Sequence, residues 1–442
     1  MQGTYASQVA GNNAKFPFLK LYIFTAVVML LADWIGAVTF NVGPGKVVLL
    51  PMVWAIIMGG LLGVLHKSMP AAISLDTSTQ FRAAAVLQPA LLLFIAKLGL
   101  MVGNALPKLA AAGWALAFQE LGHFVGTILI GLPLALLLGI KREAIGATFS
   151  VGREPSLAII GERYGMDSPE GRGVLAEYLT GTLFGAVFIA ILAGFIASLN
   201  IFHPISLAMG SGVGSGSMMA AAAGAVAAQQ TPEVAKDVMT FAAASNLITT
   251  TIGTYFTLFI SLPLAVYGYR FLEPILGRKT KASTDQSDVS ASDHSEAPEL
   301  TEVQKWGVWI VAAGLTMVSD RILYGTKPVD TFPGMLVMLL AVAIGDLLAR
   351  VTGRKIPAVC WVSLVAMAIT SPLCPWDAQM VAITGKINFL AVTPVMLTFA
   401  GLSLAKDIPA FRRLGWRIVL VSFAANAGTF LGATLVAEFF HR

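Results

Sequence analysis

Long apolar segments recur along the whole chain, and short polar segments separate them. Each apolar segment is close to the 20 residues that a helix needs to cross about 30 Å of hydrocarbon. Backbone groups in lipid must be satisfied within the segment, which favours helices. The pattern predicts an all-α integral membrane protein with about eleven spanning helices. The predicted spans are 19–40, 46–65, 83–103, 110–139, 174–199, 236–262, 304–323, 333–350, 357–372, 387–404 and 414–438.

Two further segments, 144–163 and 204–229, are apolar but rich in Gly, Ser and Pro. Such breakers interrupt helices, so both segments are predicted to be re-entrant hairpins; full crossing is the alternative. A stretch dominated by Ser, Asp and Glu predicts a disordered cytoplasmic linker at 278–303. The linker divides the chain into an N-terminal membrane half, 1–277, which holds both hairpins, and a C-terminal membrane half, 304–442.

Composition and charge support this interpretation. Hydrophobic residues make up 56% of the chain and charged residues only 12%, about half the charged fraction of a soluble domain. The net charge of +5 comes from basic residues in short loops, which the positive-inside rule explains better than nucleic-acid binding does. With the N-terminus in the cytoplasm, most of the 29 Lys and Arg residues fall inside. Cys360 and Cys374 give no metal spacing and no disulfide framework.

Two pairs of segments resemble each other. Residues 86–127 and 391–429 share a Pro-containing start and a Gly-Trp pair, and both place a Gly-Thr pair 12 residues after the Trp. The predicted topology runs their first helices in opposite directions, which is typical of an inverted repeat. The two Gly-rich segments form the second pair and are predicted to open from opposite sides. Chance similarity between apolar sequences is the alternative.

The first Gly-rich segment contains the adjacent charges Arg153 and Glu154. Gly152 and Pro155 favour a helix break there, and a broken helix exposes N–H and C=O groups. Arg153 is predicted to bind a carboxylate with its two parallel donors, and Glu154 to accept a proton or help bind a cation. Gly152 and Ser156 complete this substrate-binding tip. A structural Arg–Glu pair near the cytoplasmic interface is the alternative.

The second Gly-rich segment has glycines at alternate positions and three serines. Gly212, Gly214, Ser215 and Ser217 are predicted to form the second substrate-binding tip. No strand precedes them and no Lys follows, so a nucleotide loop is not expected. A small-residue face for helix packing is the alternative.

The helices that follow the two hairpins carry polar residues. Glu177, Thr182, Ser245 and Asn246, with Glu154, are predicted to couple H⁺ or Na⁺, since their oxygens suit a hard cation. Hydrogen bonding between helices explains them equally well. Glu120 and His123 form a single Glu-x-x-His, whereas a carboxylate-bridged metal site needs two. Neither a metal nor another cofactor is expected, and Glu120 and His123 are left as a proton relay or a satisfied pair.

The stretch SVGREPSLAIIGERYGMDSPEGRG at 150–173, followed by LTGTLFGAVF at 179–188, resembles a bacterial multi-pass membrane family known as a domain of unknown function. That resemblance implies a multi-pass protein of the bacterial inner membrane. More distantly, paired Gly-rich hairpins are similar to those of elevator-type carboxylate carriers: the 2-hydroxycarboxylate and glutamate–sodium symporters and the ketodeoxygluconate permeases. These carriers imply a substrate site where two hairpin tips meet. The Arg-Glu-Pro tip here departs from their Gly-rich turns.

Together these features predict an ion-coupled secondary transporter of a small organic anion, with a carboxylate as the expected class and with elevator-like alternating access. Its expected partners are membrane lipid and the anion, and a homodimer is left open. An enzyme is not expected, because a paired metal motif, a nucleophile elbow and a nucleotide loop are missing from the sequence. A membrane-embedded enzyme and a channel or permeability regulator are the alternatives. A channel is expected to have repeated filter residues or a ring of like charges.

Overall fold

The computed structural model describes residues 18–70, 74–165, 168–212, 214–251, 253–277, 300–353, 358–408 and 415–441. The side chains of a few residues in those ranges, Arg153 and Glu154 among them, are not described. The predicted linker falls outside the described residues from 278 to 299.

Helices make up most of the described chain, with one antiparallel pair of strands. The first part contains α1 (Leu19–Ile35), β1 (Val38–Val42), β2 (Gly45–Leu49), α2 (Pro51–Val64), α3 (Thr77–Asn104), α4 (Leu106–Ala112) and α5 (Trp114–Leu137). The Gly-rich region contains α6 (Glu143–Thr148), α7 (Arg153–Tyr164), α8 (Pro169–Thr180), α9 (Ala186–Ser198), α10 (Pro204–Ser211), α11 (Gly216–Ala227), α12 (Pro232–Thr251), α13 (Gly253–Phe256) and α14 (Leu262–Leu276). The last part contains α15 (Glu302–Tyr324), α16 (Pro328–Val351), α17 (Ala358–Thr370), α18 (Asp377–Thr384), α19 (Phe389–Ser403) and α20 (Trp416–His441).

Seven helices among the described residues are long and apolar enough to cross a membrane, judged by length and composition. They are Thr77–Asn104, Trp114–Leu137, Pro169–Ser198, Glu302–Tyr324, Pro328–Val351, Phe389–Asp407 and Trp416–Phe440. The segment Pro169–Ser198 joins α8 and α9 through a π-helical turn at Gly181–Gly185. This is the architecture of an α-helical membrane protein.

The predicted spans 19–40 and 46–65 are wrong at the ends that face each other. Helix α1 stops at Ile35, and β1 and β2 form a hairpin before α2 begins at Pro51. Val42 pairs with Gly45 across a two-residue turn, and Gly43 has φ +56°. A type II′ hairpin turn needs such a glycine at its first central position. The turn therefore ends a segment that hydrophobicity alone would extend as a helix.

Helices α5 and α20 cross at four glycines with their backbones in direct contact. A Cβ on Gly122 or Gly126 of α5 would overlap the backbone of Gly432 or Gly428 of α20, and the converse also holds. This small-residue spacing lets membrane helices approach closely. The hydroxyls of Thr127 and Thr429 are hydrogen-bonded beside the crossing. The crossing residues are the Gly-Thr pairs that the sequence comparison aligned.

The helices fall into two sets by their packing. We call α1–α3 and α15–α19 the scaffold group, and α5–α14 with α20 the hairpin group. In the scaffold group, α2 packs on α19 where Gly59 meets Gly401, and α3 packs on α17 where Gly99 meets Ser363. Between the groups, side chains meet glycines at two places, Phe94 at Gly216 and Leu390 at Gly224.

Candidate functional site

The first Gly-rich segment is a broken helix. Helix α6 ends at Thr148, four residues intervene, and α7 begins at Arg153. Gly152 has extended backbone angles at the N-cap of α7, and its N–H donates to Ser150 Oγ at 2.9 Å. The Ser261 hydroxyl donates to the Phe149 carbonyl inside the break. Side chains from the same hairpin and from the π-helical turn before α14 therefore hold the broken backbone.

The second Gly-rich segment breaks in a similar way. Helix α10 ends at Ser211, Gly214 has φ +89°, and α11 begins at Gly216. Ser215 is the N-cap of α11, and its hydroxyl accepts from Met218 N–H at 3.3 Å and lies 2.9 Å from Ser217 Oγ. The predicted tip residues Ser215 and Ser217 thus lie side by side at the start of a helix.

The two breaks lie next to each other. An ideal Cβ on Gly214 would lie 4.0 Å from Val151 Cγ2, so the middle of one break contacts the middle of the other. Both α7 and α11 begin at this meeting point. The first turns of two helices, with their unpaired N–H groups and partial positive charge, therefore converge.

Among the predicted tip residues, Ser156 carries an unsatisfied polar group. Its hydroxyl is buried and has no hydrogen-bond partner among the described residues. An ideal Cβ on Gly152 would lie 3.2 Å from Ser156 Oγ, so the hydroxyl lies beside the break. Arg153 and Glu154 are the first two residues of α7; their side chains lie outside the described part of the structure, and their roles stay predictions.

Two of the predicted ion-coupling residues hold the second break in place. The Ser245 hydroxyl donates to Met209 O at 2.7 Å. The Asn246 amide donates to Gly212 O at 2.8 Å and to Gly214 O at 3.3 Å. Gly212 packs directly on Ser245. Helix α12 thus supplies hydrogen-bond donors to carbonyls that the break leaves unpaired, as buried backbone groups require.

Two more of the predicted ion-coupling residues, Glu177 and Thr182, lie on the chain that follows the first hairpin. Glu177 is buried against α20, where Asn426 Nδ2 donates to its Oε1 at 3.4 Å. Thr182 donates to Tyr178 O at 2.7 Å within its own helix. Farther along the same π-helical turn, Gly185 contacts Met218 of the second hairpin. Glu177 and Thr182 therefore follow the first break, whereas Ser245 and Asn246 lie on α12 and contact the second.

The mouth of the first hairpin is held by ion pairs. Arg142, just before α6, pairs with Glu170 at the start of α8 at 2.6 Å, and Glu143 pairs with Arg172 at 3.0 Å. Lys141 pairs with Glu273 at the end of α14 at 2.8 Å. Hydrogen bonds to Glu273 and to Glu170 raise the pKa values of Lys141 and Arg142 respectively. We call this end of the molecule the Arg142 face.

A second set of polar contacts lies where the second broken helix begins and ends. His203 N–H, before α10, donates to Glu438 near the end of α20 at 2.9 Å. After α11, Gln229 Nε2 donates to Gly194 O of α9 at 2.8 Å. Asp237 of α12 pairs with Lys108 at 2.6 Å. We call this end the Lys108 face.

A buried carboxylate that we did not place in the site lies close to the second tip. Glu120 Oε2 accepts from Thr249 Oγ1 at 2.7 Å, one turn of α12 beyond Asn246. Glu120 Oε1 has no partner among the described residues and packs on Gly253. Both ring nitrogens of His123 are buried and likewise lack a described partner. The Glu-x-x-His spacing identified these two residues but not the contact of Glu120 with α12.

A family model described as "Protein of unknown function (DUF3100)" matches residues 30–271, more than half of the chain. The chain belongs to this family. The predicted resemblance to a family of unknown function is therefore confirmed. The DUF3100 match includes both broken helices and α12, and it ends before the predicted linker. No curated protein and no solved structure matches the chain, so the likeness to elevator-type carriers stays a prediction.

Proposed function

We propose that this DUF3100 chain is an ion-coupled secondary transporter of a small organic anion, and that the anion binds where the two broken helices meet. The observation that carries the proposal is the contact between the breaks at Val151 and Gly214. Discontinuous helices whose N-termini face one point are the usual construction of a transporter site for an anion. Ser156 supplies a buried hydroxyl beside that point.

Chain length supports a re-entrant path for the first hairpin. Tyr164 ends α7 and lies within electrostatic range of Arg142, which precedes α6. Five residues later Pro169 begins α8, and that connection spans at most about 18 Å. A segment from 143 to 164 that crossed the membrane would instead end about 30 Å from its start. The hairpin thus returns to the Arg142 face, where Glu170 meets Arg142.

The second hairpin returns to the face from which it enters. Ser198 and Asn200 precede α10, Gln229 and Gln230 follow α11, and all four line one cavity of about 360 Å³. Between the two hairpins, the 30-residue helix Pro169–Ser198 leads from the Arg142 face to the Lys108 face. At 1.5 Å per residue it is about 45 Å long, enough to cross the hydrocarbon. These paths support hairpins that open on opposite sides of the membrane.

The contact between α5 and α20 supports an inverted repeat. Gly126-Thr127 and Gly428-Thr429 are equivalent in the sequence comparison, and they touch in the structure. Equivalent residues meet where a pseudo-two-fold axis passes between two repeats. The excess of basic residues in the loops of the Arg142 face supports the proposal that this face is cytoplasmic, in a protein of the bacterial inner membrane.

Glu120 is our candidate for the coupling site, and the coupling ion that we propose is a proton. Its Oε1 packs on Gly253, where an ideal Cβ would lie 2.6 Å away. The described side-chain contacts of Glu120 Oε2 are with the donors Thr249 and Gln119, which suits a carboxyl group that binds a proton better than the six or so oxygen ligands of a hard cation. Through Thr249, Glu120 contacts the helix on which Asn246 holds the second tip. Protonation can therefore alter the support of that tip.

Uptake into proteoliposomes tests the transport proposal. Radiolabelled pyruvate, succinate and citrate would be offered with an imposed pH gradient, an imposed Na⁺ gradient or neither. We expect at least one anion to accumulate under the pH gradient and a protonophore to abolish its accumulation. Absence of accumulation for all three, or a current that flows without any gradient-driven uptake, would contradict the proposal. A current of that kind would indicate a channel.

A matched pair of variants tests the coupling site. Glu120→Gln removes the buried titratable group, and Glu177→Gln removes the buried carboxylate that the sequence had favoured. We expect Glu120→Gln to abolish uptake driven by the pH gradient while it preserves exchange of labelled for unlabelled anion. Glu177→Gln should keep both activities. The reverse result would transfer the coupling role to Glu177.

A further inference from the structure

A cavity of about 660 Å³ lies between the scaffold group and the second hairpin. Its walls come from the ends of α3 and α18, the start of α19, the end of α11 and the start of α12. Asn104, Lys108 and Lys236 lie on its rim and are exposed, so the cavity opens at the Lys108 face. It reaches inward to Phe389 at the start of α19.

The lining of this cavity is basic. It contains three lysines, Lys97, Lys108 and Lys236, and one carboxylate, Asp237. Asp237 is paired with Lys108. Lys236 has no ion pair among the described residues. Lys97 is buried, with its Nζ donating to Thr384 O at 2.8 Å, and Asp320 lies within electrostatic range of it. With Asp237 beside Lys108 and Asp320 near Lys97, the charge of Lys236 leaves the cavity with a net positive charge.

The floor of the cavity adjoins the second hairpin tip. The rings of Phe94 and Phe389 pack with their centroids 5.3 Å apart. Phe389 faces the cavity, and an ideal Cβ on Gly216 would lie 3.2 Å from Phe94 Cε1. Gly216 is the first residue of α11, next to the point where the two breaks meet. One aromatic pair thus separates the basic cavity from the proposed binding site.

We propose that this cavity is the anion-selective vestibule through which a small organic anion reaches the hairpin tips from the Lys108 face, with Phe94 and Phe389 as the inner barrier. The inference rests on the proposed transport function. The positive-inside rule disfavours lysines on the outer face. Three lysines around one cavity on that face therefore indicate a role other than setting the topology. A basic, partly enclosed cavity raises the local concentration of anions and excludes cations.

Thiol modification measures this selectivity without any transported substrate. Cys360 and Cys374 would be replaced by Ser, and Asn104→Cys would place one thiol on the cavity wall. Its rate with a negatively charged sulfonatoethyl methanethiosulfonate would be compared with its rate with a positively charged trimethylammonium reagent. We expect the ratio of the anionic to the cationic reaction rate to be higher for this thiol than for a free thiol in solution.

Lysine variants assign that preference to the cavity. Lys236→Gln, at an exposed position, and Lys97→Gln should each lower the anion-to-cation rate ratio about three- to sevenfold, as Coulomb's law predicts for a charge about 7 Å away, depending on salt. Lys46→Gln is the control, because Lys46 is on the same face but lines the neighbouring cavity. An unchanged ratio in Lys236→Gln, or equal rates for both reagents in the parent, would overturn the vestibule.

The same measurement separates this inference from the transport proposal. If charge selectivity depends on Lys236 but none of the three anions is taken up, the vestibule stands as an anion-selective cavity and the transport proposal fails for those anions. If uptake is intact and the rate ratio does not respond to Lys236, the vestibule is wrong while the transport proposal stands.

Discussion

Replacing Gly214 by alanine tests whether the backbone of the second tip has to keep its conformation for transport. Gly214 has φ +89°, a region that costs a residue with a Cβ roughly 1–2 kcal/mol. Steric contact adds little, because the nearest atom to an ideal Cβ is Met218 Sδ at 3.5 Å. The cost is therefore conformational, and a small movement of the tip relieves it. A penalty of that size lowers the population of the native tip about 5- to 30-fold if an alternative is available.

Gly36 provides the matched control. It has φ +71° and no atom within 4 Å of an ideal Cβ, and it lies at the end of α1 away from the tips. Melting temperature in detergent and gradient-driven uptake would be measured for both alanine variants. We expect similar losses of stability, with uptake reduced about fivefold or more only in Gly214→Ala. Equal uptake by the two variants would refute the reasoning, because strain at the tip would then have no functional effect.

Four further changes give testable outcomes. Asn246→Ala should lower the free energy of unfolding by about 1–3 kcal/mol and impair uptake, because it leaves two tip carbonyls without their donor; thermal melting and uptake report the two effects. Gly126→Val should prevent accumulation of folded protein, measured by size-exclusion chromatography. Gly216→Ala should fold, because its added methyl group meets a side chain that can move, and it should lose uptake. Deletion of 284–298 should leave folding and uptake intact; loss of folded protein would show that the stretch docks on the membrane halves.

Hydrophobic length was a good guide to where long helices lie, because the cost of burying backbone in lipid depends on composition rather than on tertiary contacts. Helices α16 and α20 begin and end within a few residues of the predicted 333–350 and 414–438. The β-hairpin was missed because five-residue strands inside apolar segments have no distinctive hydrophobicity. Its only local signal is the Gly-Pro-Gly stretch at 43–45.

The breaks themselves were predictable from Gly and Pro, and both fall where the sequence indicated. Which groups support the breaks was not predictable, because the partners are distant in sequence: Asn246 lies more than 30 residues from the Gly212 and Gly214 carbonyls. Lys97 is likewise buried, with Thr384 O, nearly 300 residues away, as its acceptor. The residues around Lys97 give no signal for this contact, because its acceptor is a backbone carbonyl at the end of a distant helix.

The glycines of this chain serve two different mechanical purposes. Within a group they place backbone on backbone, as at Gly126 and Gly428, and such contacts permit no sliding without loss of close packing. Between the groups Gly216 faces the ring of Phe94, and Gly224 faces the side chain of Leu390. Side chains can change rotamer at little cost, so these contacts can be remade in a second register. The proposed elevator-like access requires a rigid hairpin group that moves along a side-chain interface, and this distribution of glycine contacts supports that proposal.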